Sequence, residues 1–299
     1  MTDVAGQPKD ASGPTGGPFA LIAALTDYGT GPYTALLQAA ARYPAAPEVR
    51  WLDLDHGVAL GDVRAGALTL RRTVPHLPRC VVVAVVDPGV GTERRTVALR
   101  TASGHVLVGP DNGLLEPVTR RLGGVAELVD LAGSPLRAKR AARTFDGRDL
   151  FGPVAGAIAA GAALREVGAE VEPSSLMVLA LPAPRRTVDG FDATILEVDH
   201  FGTLVLALDD HLHGLGPLPP VGGSGEVATA LGGTQPFVIG QTFADAPHGG
   251  LVLFHDSDGA LALARRDGSA SSLLHVGSSA ALTFVFGGDD EDGDAPLIA

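Results

Sequence analysis

The sequence predicts an α/β domain with a largely parallel sheet, followed by a smaller all-β barrel or sandwich domain. Two observations predict this fold class. Up to about residue 172, short apolar runs alternate with segments of helical periodicity, which is the pattern of an α/β layer. Further along, short strand-like runs are separated by Gly, Asp and Ser, as in small all-β domains. We therefore predict a disordered tail at 1–17, domains at 18–172 and 190–287, a linker at 173–189 and an acidic tail at 288–299.

Each predicted element follows from its own local pattern. Strands are apolar runs that stop at a polar or turn residue, and helices have good helix formers with apolar residues at helical spacing. In the first domain, the predicted strands are 19–25, 49–53, 81–86, 96–100 and 106–108, and the predicted helices are 33–42, 63–74 and 154–163. In the second, the predicted strands are 193–198, 204–208, 237–239, 251–254, 260–264 and 282–286, and the Pro/Gly-rich stretch 214–225 predicts a mobile loop.

Composition restricts the class of protein. Hydrophobic residues make up 45% of the 299 residues, which is enough for a sizeable core. The net charge of −12 and the lack of a basic stripe argue against a nucleic-acid partner. No apolar run is long enough to cross a bilayer, and the start lacks the layout of a signal peptide. The single cysteine excludes an internal disulfide, and together with the lack of a signal peptide it makes a cytoplasmic protein the expectation. The acidic charge suits an enzyme, and we expect a small-molecule substrate.

An acidic residue followed by a tight turn and two arginines is the most informative local motif. The apolar run 81–86 ends at Asp87, the Pro/Gly turn 88–91 follows, and Arg94 and Arg95 come next. The turn can bring Arg94 back to Asp87 and keep that carboxylate ionised. Strand ends of α/β folds often carry ligand chemistry. An ordinary surface ion pair is the alternative, and this motif alone does not decide between the two.

Further segments accompany this motif in a defined order. They are LTDYG at 25–29, DLDH at 53–56, DVR at 62–64, GPDNGLL at 109–115 and TFDGRDLF at 144–151. In this order and spacing, the set resembles the S-adenosyl-L-methionine hydroxide adenosyltransferase family, whose members are relatives of the bacterial fluorinase and chlorinase. The resemblance extends from about Leu21 to about Leu274, which is nearly the whole chain.

The resemblance implies a reaction in which water attacks C5′ of the adenosyl group, and adenosine and L-methionine are released. It implies no metal or other cofactor, and a homotrimer whose sites lie between the N-terminal domain of one subunit and the C-terminal domain of its neighbour. Asp87 and Arg94 match two of the family's three catalytic positions. At the third, a histidine in the family, this chain has Asp146. A carboxylate at position 87 also disfavours a halide as nucleophile, so water is the predicted one.

Asp146 leaves two classes of function open. A carboxylate is ordinarily a weaker base than a neutral imidazole near neutral pH. Two carboxylates that share Arg94 could nevertheless keep one of them basic enough to accept a proton. The alternatives are a protein that binds adenosine or an adenosyl ligand without turnover, or an enzyme that uses a related sulfonium or nucleoside.

The resemblance also implies substrate-binding residues. Asp27 matches an acid that accepts hydrogen bonds from the ribose hydroxyls, although a turn-capping role is an alternative for it. Asp199 matches an acid near the methionine ammonium, and Ser257 matches a serine near the methionine carboxylate. Phe145 and Thr203 complete the predicted set; Thr203 stands where the family has Asn. We predict no metal site, because His211 and His213 are more typical of a solvated surface pair.

Overall fold

The computed structural model describes residues 18–139, 144–230 and 232–287, and the chain divides into two compact units between Ala180 and Leu181. The predicted tails at 1–17 and 288–299 lie outside the described residues. The division falls inside the predicted linker at 173–189, and the start of that segment packs on the first unit. Arg95 donates to the carbonyl oxygen of Ser175, and the Met177 amide donates to Asp111 Oδ1 at 2.8 Å.

The first unit is an α/β domain built on a seven-stranded sheet. Its strands are β1 (Leu21–Thr26), β2 (Arg50–Asp55), β3 (Val81–Val85), β4 (Thr96–Thr101), β5 (Val106–Pro110), β6 (Val125–Asp130) and β7 (Ala169–Glu170). Its helices are α1 (Pro32–Arg42), α2 (Val63–Thr73), α3 (Glu116–Arg121), α4 (Gly152–Ala159) and α5 (Leu164–Val167). The sheet order is β2-β1-β3-β5-β4-β6-β7. In this order, β2, β1, β3 and β5 run parallel to one another, and β4, β6 and β7 each run antiparallel to the strand before them. The predicted fold class is therefore confirmed.

The parallel half of the sheet positions the candidate site. β1 and β3 run side by side, with Thr26 opposite Val85, so Asp27 and Asp87 follow the carboxyl ends of neighbouring strands. β5 is the next strand, and Asn112 follows its end. Asn112 Nδ2 donates to the carbonyl oxygen of Val86 at 2.9 Å and ties the two strand ends together. The edge at which ligands usually bind in such sheets therefore carries these side chains.

Alternation along β3 explains why both faces of the sheet are covered. Val81, Val83 and Val85 pack with α1 and α4 on one face, whereas Val82 and Ala84 pack with α2 and α3 on the other. A strand buried on both faces reads as a continuous apolar run, as this one does. The DVR motif marks a helix start, because Asp62 accepts from the Ala65 amide at 2.9 Å and caps α2.

A close approach of α4 to α1 requires glycine at position 156. A Cβ atom there would lie 2.0 Å from the carbonyl oxygen of Ala41, which is too short for any real contact. We expect Gly156→Ala to lower the free energy of unfolding by roughly 1–3 kcal/mol through overpacking. Thermal unfolding of the variant tests this. Gly133→Ala is the control, because a Cβ there meets no atom within 4 Å; an equal loss in both variants would contradict the packing argument.

The second unit is a strand-rich half-barrel formed by one nine-stranded sheet, which confirms the predicted all-β domain. Its strands are β8 (Arg185–Arg186), β9 (Gly190–Thr194), β10 (Glu197–Val198), β11 (Leu204–Ala207), β12 (Ser224–Thr229), β13 (Thr234–Ile239), β14 (Leu251–His255), β15 (Leu261–Arg265) and β16 (Ala281–Phe286), with helix α6 (Ala270–Leu274). The sheet order is β10-β11-β15-β14-β13-β12-β16-β9-β8. Its core includes Phe191 stacked on Phe284, with ring centroids 4.4 Å apart.

Seven elements were absent from the sequence predictions. They are α3, α5, α6, β6, β7, β8 and β12, and the start of β12 overlaps the loop predicted at 214–225. β6 and β12 each pair with neighbours on both sides, so their extended form depends on tertiary pairing more than on local propensity. Across the described ranges of the chain, no helix is both long and apolar enough to cross a membrane.

Candidate active site

The turn after β3 brings Arg94 back onto Asp87. The Val90 amide donates to the Asp87 carbonyl oxygen at 3.3 Å, and the Thr92 hydroxyl donates to the Gly89 carbonyl oxygen at 2.6 Å. Gly91 has φ of 81°, a conformation that favours glycine. Arg94 Nε then donates to Asp87 Oδ1 at 2.8 Å, and Arg94 Nη2 donates to Asp87 Oδ2. The pair is therefore bidentate, the strongest geometry for an arginine–carboxylate contact.

Asp146 joins this pair through Arg94 Nη2, a nitrogen that also contacts Asp87. It directly precedes a single π-helical turn, Gly147–Phe151, which continues into α4. Arg94 Nη2 donates to Asp146 Oδ2 at 2.7 Å, so one guanidinium bridges both carboxylates. The side chains of Asp87 and Asp146 are only 5% and 6% exposed. The three predicted catalytic positions therefore form one buried cluster, although they lie up to 59 residues apart in the sequence.

The charge of Arg94 is secured by its neighbours. Burial alone would lower the pKa of Arg94, but the hydrogen bonds to the two carboxylates and their negative charges outweigh this effect. The net result is a pKa above the ordinary value for arginine. Arg94 therefore stays a cation that holds Asp87 and Asp146 in place.

A second arginine also contacts Asp146. Arg137 Nη1 donates to Asp146 Oδ1 at 2.7 Å, so each oxygen of that carboxylate accepts from a different guanidinium. A cavity of about 220 Å³ opens beside these groups. Its lining comprises Arg94, Arg137 and Asp146 with Gly91, Thr92, Glu93, Arg95, Thr96, Asp130 and Ala132. The cavity is smaller than the roughly 300–1,000 Å³ of typical ligand pockets.

An aromatic group lies next to the cluster. The ring of Tyr28 packs edge-on against Phe145 with centroids 5.5 Å apart, and Tyr33 packs against Phe145 at 5.4 Å. Burial raises the pKa of the Tyr28 hydroxyl above its ordinary value, and nearby negative charges add to the shift. Those charges belong to Asp27, Asp87 and Asp146. Tyr28 is therefore a neutral hydroxyl beside the carboxylates.

Asp27 shares the strand-end edge with Asp87 but has a local partner as well. Its Oδ2 accepts from the Gly61 amide at 2.9 Å, so part of its role is to hold the loop before α2. His56, in the DLDH segment, bridges Thr26 and Asp53 through contacts of 2.8 and 2.9 Å. These contacts account for His56 as a structural link between β1 and the end of β2.

The predicted residues of the second unit fall into two turns. Asp199 Oδ1 accepts from the Thr203 amide at 2.8 Å, so these two residues close one turn before β11. Ser257 is exposed in the turn before β15. Because Ala207 pairs with Leu261, that turn lies at the opposite end of β11 from Thr203. The three residues therefore do not form a single cluster within this unit.

Both units match known domains. The SAM hydroxide adenosyltransferase N-terminal domain matches residues 22–168, and the SAM hydroxide adenosyltransferase C-terminal domain matches residues 193–283. The chain belongs to the SAM hydroxide adenosyltransferase family. The resemblance inferred from the sequence motifs is thus confirmed.

Members of the SAM hydroxide adenosyltransferase family align with most of the chain. An (R)-S-adenosyl-L-methionine hydrolase from Salinispora arenicola is 48% identical over 77% of this chain and 84% of that protein. A protein of the same name from Salinispora tropica is 45% identical over the same shares of the two chains. The crystal structure of an uncharacterized conserved protein from Thermotoga maritima has a TM-score of 0.77 and 29% identity, covering 88% of this chain and 99% of that one.

Two side chains beside Asp87, Arg94 and Asp146 were not predicted from the sequence. Tyr28 directly follows Asp27 at the end of β1, so its strand-end position was a signal that was not used. Arg137 lies in a basic stretch ahead of the TFDGRDLF segment, where nothing distinguishes it from the other basic residues. Only the fold shows that it reaches Asp146.

Proposed function

We propose that this protein hydrolyses S-adenosyl-L-methionine to adenosine and L-methionine by in-line attack of water on C5′. The observation that carries the proposal is the buried Asp87 carboxylate, held in bidentate contact by Arg94 at the end of β3. Relatives named as hydrolases of S-adenosyl-L-methionine, with 45% and 48% identity, support the same substrate.

The chemistry requires little beyond position and a proton acceptor. The oxygen of water forms a bond to C5′ while the C5′–S bond breaks. The electron pair of the C5′–S bond passes to sulfur. The sulfonium becomes a neutral thioether, which is a good leaving group. Asp87 orients the water and accepts its proton, and Arg94 holds Asp87 in the required direction. Water is favoured over a halide, because water can donate a hydrogen bond to the Asp87 carboxylate and a halide cannot.

Asp146 is proposed to act with Asp87 through the shared arginine. Both of its oxygens are engaged, at 2.7 Å each, by Arg94 and Arg137. Among the described residues, Asp146 thus has two arginine partners where Asp87 has one, which favours a role for Asp146 in orienting the cluster. The second candidate function is binding of an adenosyl ligand without turnover. The absence of the imidazole that the family motif carries favours this function.

The remaining predicted residues stay proposals. Asp27 is proposed to bind the ribose of the adenosyl group, Asp199 and Ser257 are proposed to bind the methionine group, and Phe145 and Thr203 stay predicted substrate-binding residues. The homotrimer with shared sites that the resemblance implies, and the cytoplasmic location, likewise stay predictions.

Incubation of the purified protein with substrate in H₂¹⁸O tests the proposal. Because the relatives are named for the (R) form, the two sulfonium epimers are supplied separately. We expect adenosine and methionine in equal amounts, with ¹⁸O in the 5′-hydroxyl of adenosine. Tight binding of substrate without adenosine would favour the binding function. Adenosine without ¹⁸O would exclude attack by solvent water at C5′.

Chelators are expected to leave the activity unchanged. The neutral thioether leaves without a Lewis acid, and the carboxylates at 87 and 146 are paired with arginine. Within the part of the chain that the structure describes, no group of three or more His, Cys, Asp or Glu side chains is placed to hold a metal ion. Turnover is measured before and after dialysis against EDTA. Loss of activity that a divalent ion restores would contradict this prediction and direct attention to the histidines at 211 and 213.

A further inference from the structure

Arg137 is held at the cluster by the backbone and by its ion pair. The Ala138 amide donates to the Asp149 carbonyl oxygen at 2.8 Å, which fixes the segment of Arg137 beside the π-helical turn. Arg137 Nη1 then reaches Asp146 Oδ1 at 2.7 Å. The Arg137 side chain is 24% exposed, and both Arg137 and Asp146 line the cavity.

Charges alternate along this cluster in the order Asp87, Arg94, Asp146 and Arg137. Two nearly buried carboxylates with Arg94 alone would leave one uncompensated negative charge, and burying such a charge is costly. Arg137 supplies the second positive charge. The four side chains then carry no net charge, so Asp146 does not depend on Arg94 alone for a positively charged partner.

We infer that Arg137 is a positioning residue, which pairs with Asp146 so that Arg94 can keep its bidentate hold on Asp87. Arg94 donates two hydrogen bonds to Asp87 and one to Asp146. Without Arg137, Asp146 would draw Arg94 away from Asp87 or take up a proton. The inference rests on the proposed function, because orientation of Asp87 matters only if Asp87 acts on a water.

Among the residues that the structure describes, the neighbouring groups do not substitute for Arg137. Arg95 is bound to Asp111 and to the Ser175 carbonyl oxygen. Tyr28 stays neutral and brings no charge. Within the described ranges, the other titratable side chains that face the cluster or line its cavity are Asp27, Glu93 and Asp130, all of which are acids.

The test uses Arg137→Gln, Arg137→Lys, Asp146→Asn and the double variant Arg137→Gln/Asp146→Asn. Arg185→Gln is the control, because Arg185 forms an exposed pair with Asp192 in the other unit. We expect Arg137→Gln to lower kcat by about tenfold and to move the acidic limb of the pH–rate profile upward by roughly one pH unit. KM should change little, and Arg137→Lys should recover most of the loss. In the Asp146→Asn background, Arg137→Gln should change kcat by less than about twofold.

Each outcome bears on the inference separately from the proposed function. An active wild type whose kcat and pH profile are unaffected by Arg137→Gln would overturn the inference. So would an equal loss in the Asp146→Asn background, since Arg137 would then act through another group. If the wild type releases no adenosine, the proposed function fails. Thermal unfolding without substrate then decides: non-additive Tm changes of the two single variants support the pairing, and additive changes overturn it.

Discussion

Asp87→Asn is expected to lower kcat at least about 100-fold without unfolding the protein, the scale of losing a positioned general base. The amide cannot accept the proton of the attacking water. It also offers one acceptor oxygen where the carboxylate offers two, so the bidentate contact with Arg94 is lost. The measurement is adenosine release under saturating substrate, with circular dichroism to verify the fold.

Glu127→Gln is a matched control for Asp87→Asn. Glu127 accepts from Arg100 Nε at 2.9 Å in the same unit, but this pair lies on the antiparallel strands β4 and β6. Its loss should leave kcat within about twofold, because Arg100 pairs with Val106 at the start of β5, at the opposite edge of the sheet from Asp87. Unchanged turnover in a folded Asp87→Asn variant would remove Asp87 from the mechanism.

Asp146→Ala is expected to lower kcat by about 10- to 100-fold. The truncation removes the acceptor of both Arg94 and Arg137 and leaves two guanidinium groups facing one carboxylate. If Asp146 has taken the place of the family histidine in a working site, Asp146→His should keep or raise the rate, because imidazole is the base that the family motif carries. The measurement is kcat for both variants across a range of pH.

The pH dependence separates a shared role from a single base. If Asp87 and Asp146 act as one unit through Arg94, the acidic limb of the wild-type profile belongs to the pair and not to either residue. Asp146→His should add a limb near the ordinary pKa of histidine. Suppose instead that the wild-type rate falls through one pKa near that of histidine and survives Asp146→Ala. Another residue would then supply the base, and His56 at the end of β2 would be the first to replace.

Local patterns were sufficient for part of the site. Asp87 and Arg94 are seven residues apart across a Pro/Gly turn, so their pairing follows from the short loop that joins them. The end of an apolar run placed Asp87 at a strand terminus, and the same rule placed Asp27. These inferences hold because turn chemistry and strand burial act over a few residues.

Other features depended on contacts that the sequence does not encode locally. β6 has the mixed sequence VAELVD, and it becomes a strand because β4 and β7 pair with its edges. The segment 184–186 was expected to be part of a linker, yet Arg185–Arg186 pairs with β9 at the sheet edge. Backbone hydrogen bonds to distant partners outweigh weak local preference in such segments.

By itself, the sequence determined the two-part fold class, the family and the Asp87–Arg94 pair, because periodicity, turn residues and motif order are local properties. The resemblance suggested that Asp146, 52 residues beyond Arg94, could share its guanidinium. The tertiary structure alone decided that Arg137 pairs with this second carboxylate. The physical reason is electrostatic. The cost of a buried charge depends on which side chains the fold brings within a few ångströms, and sequence separation does not contain that distance.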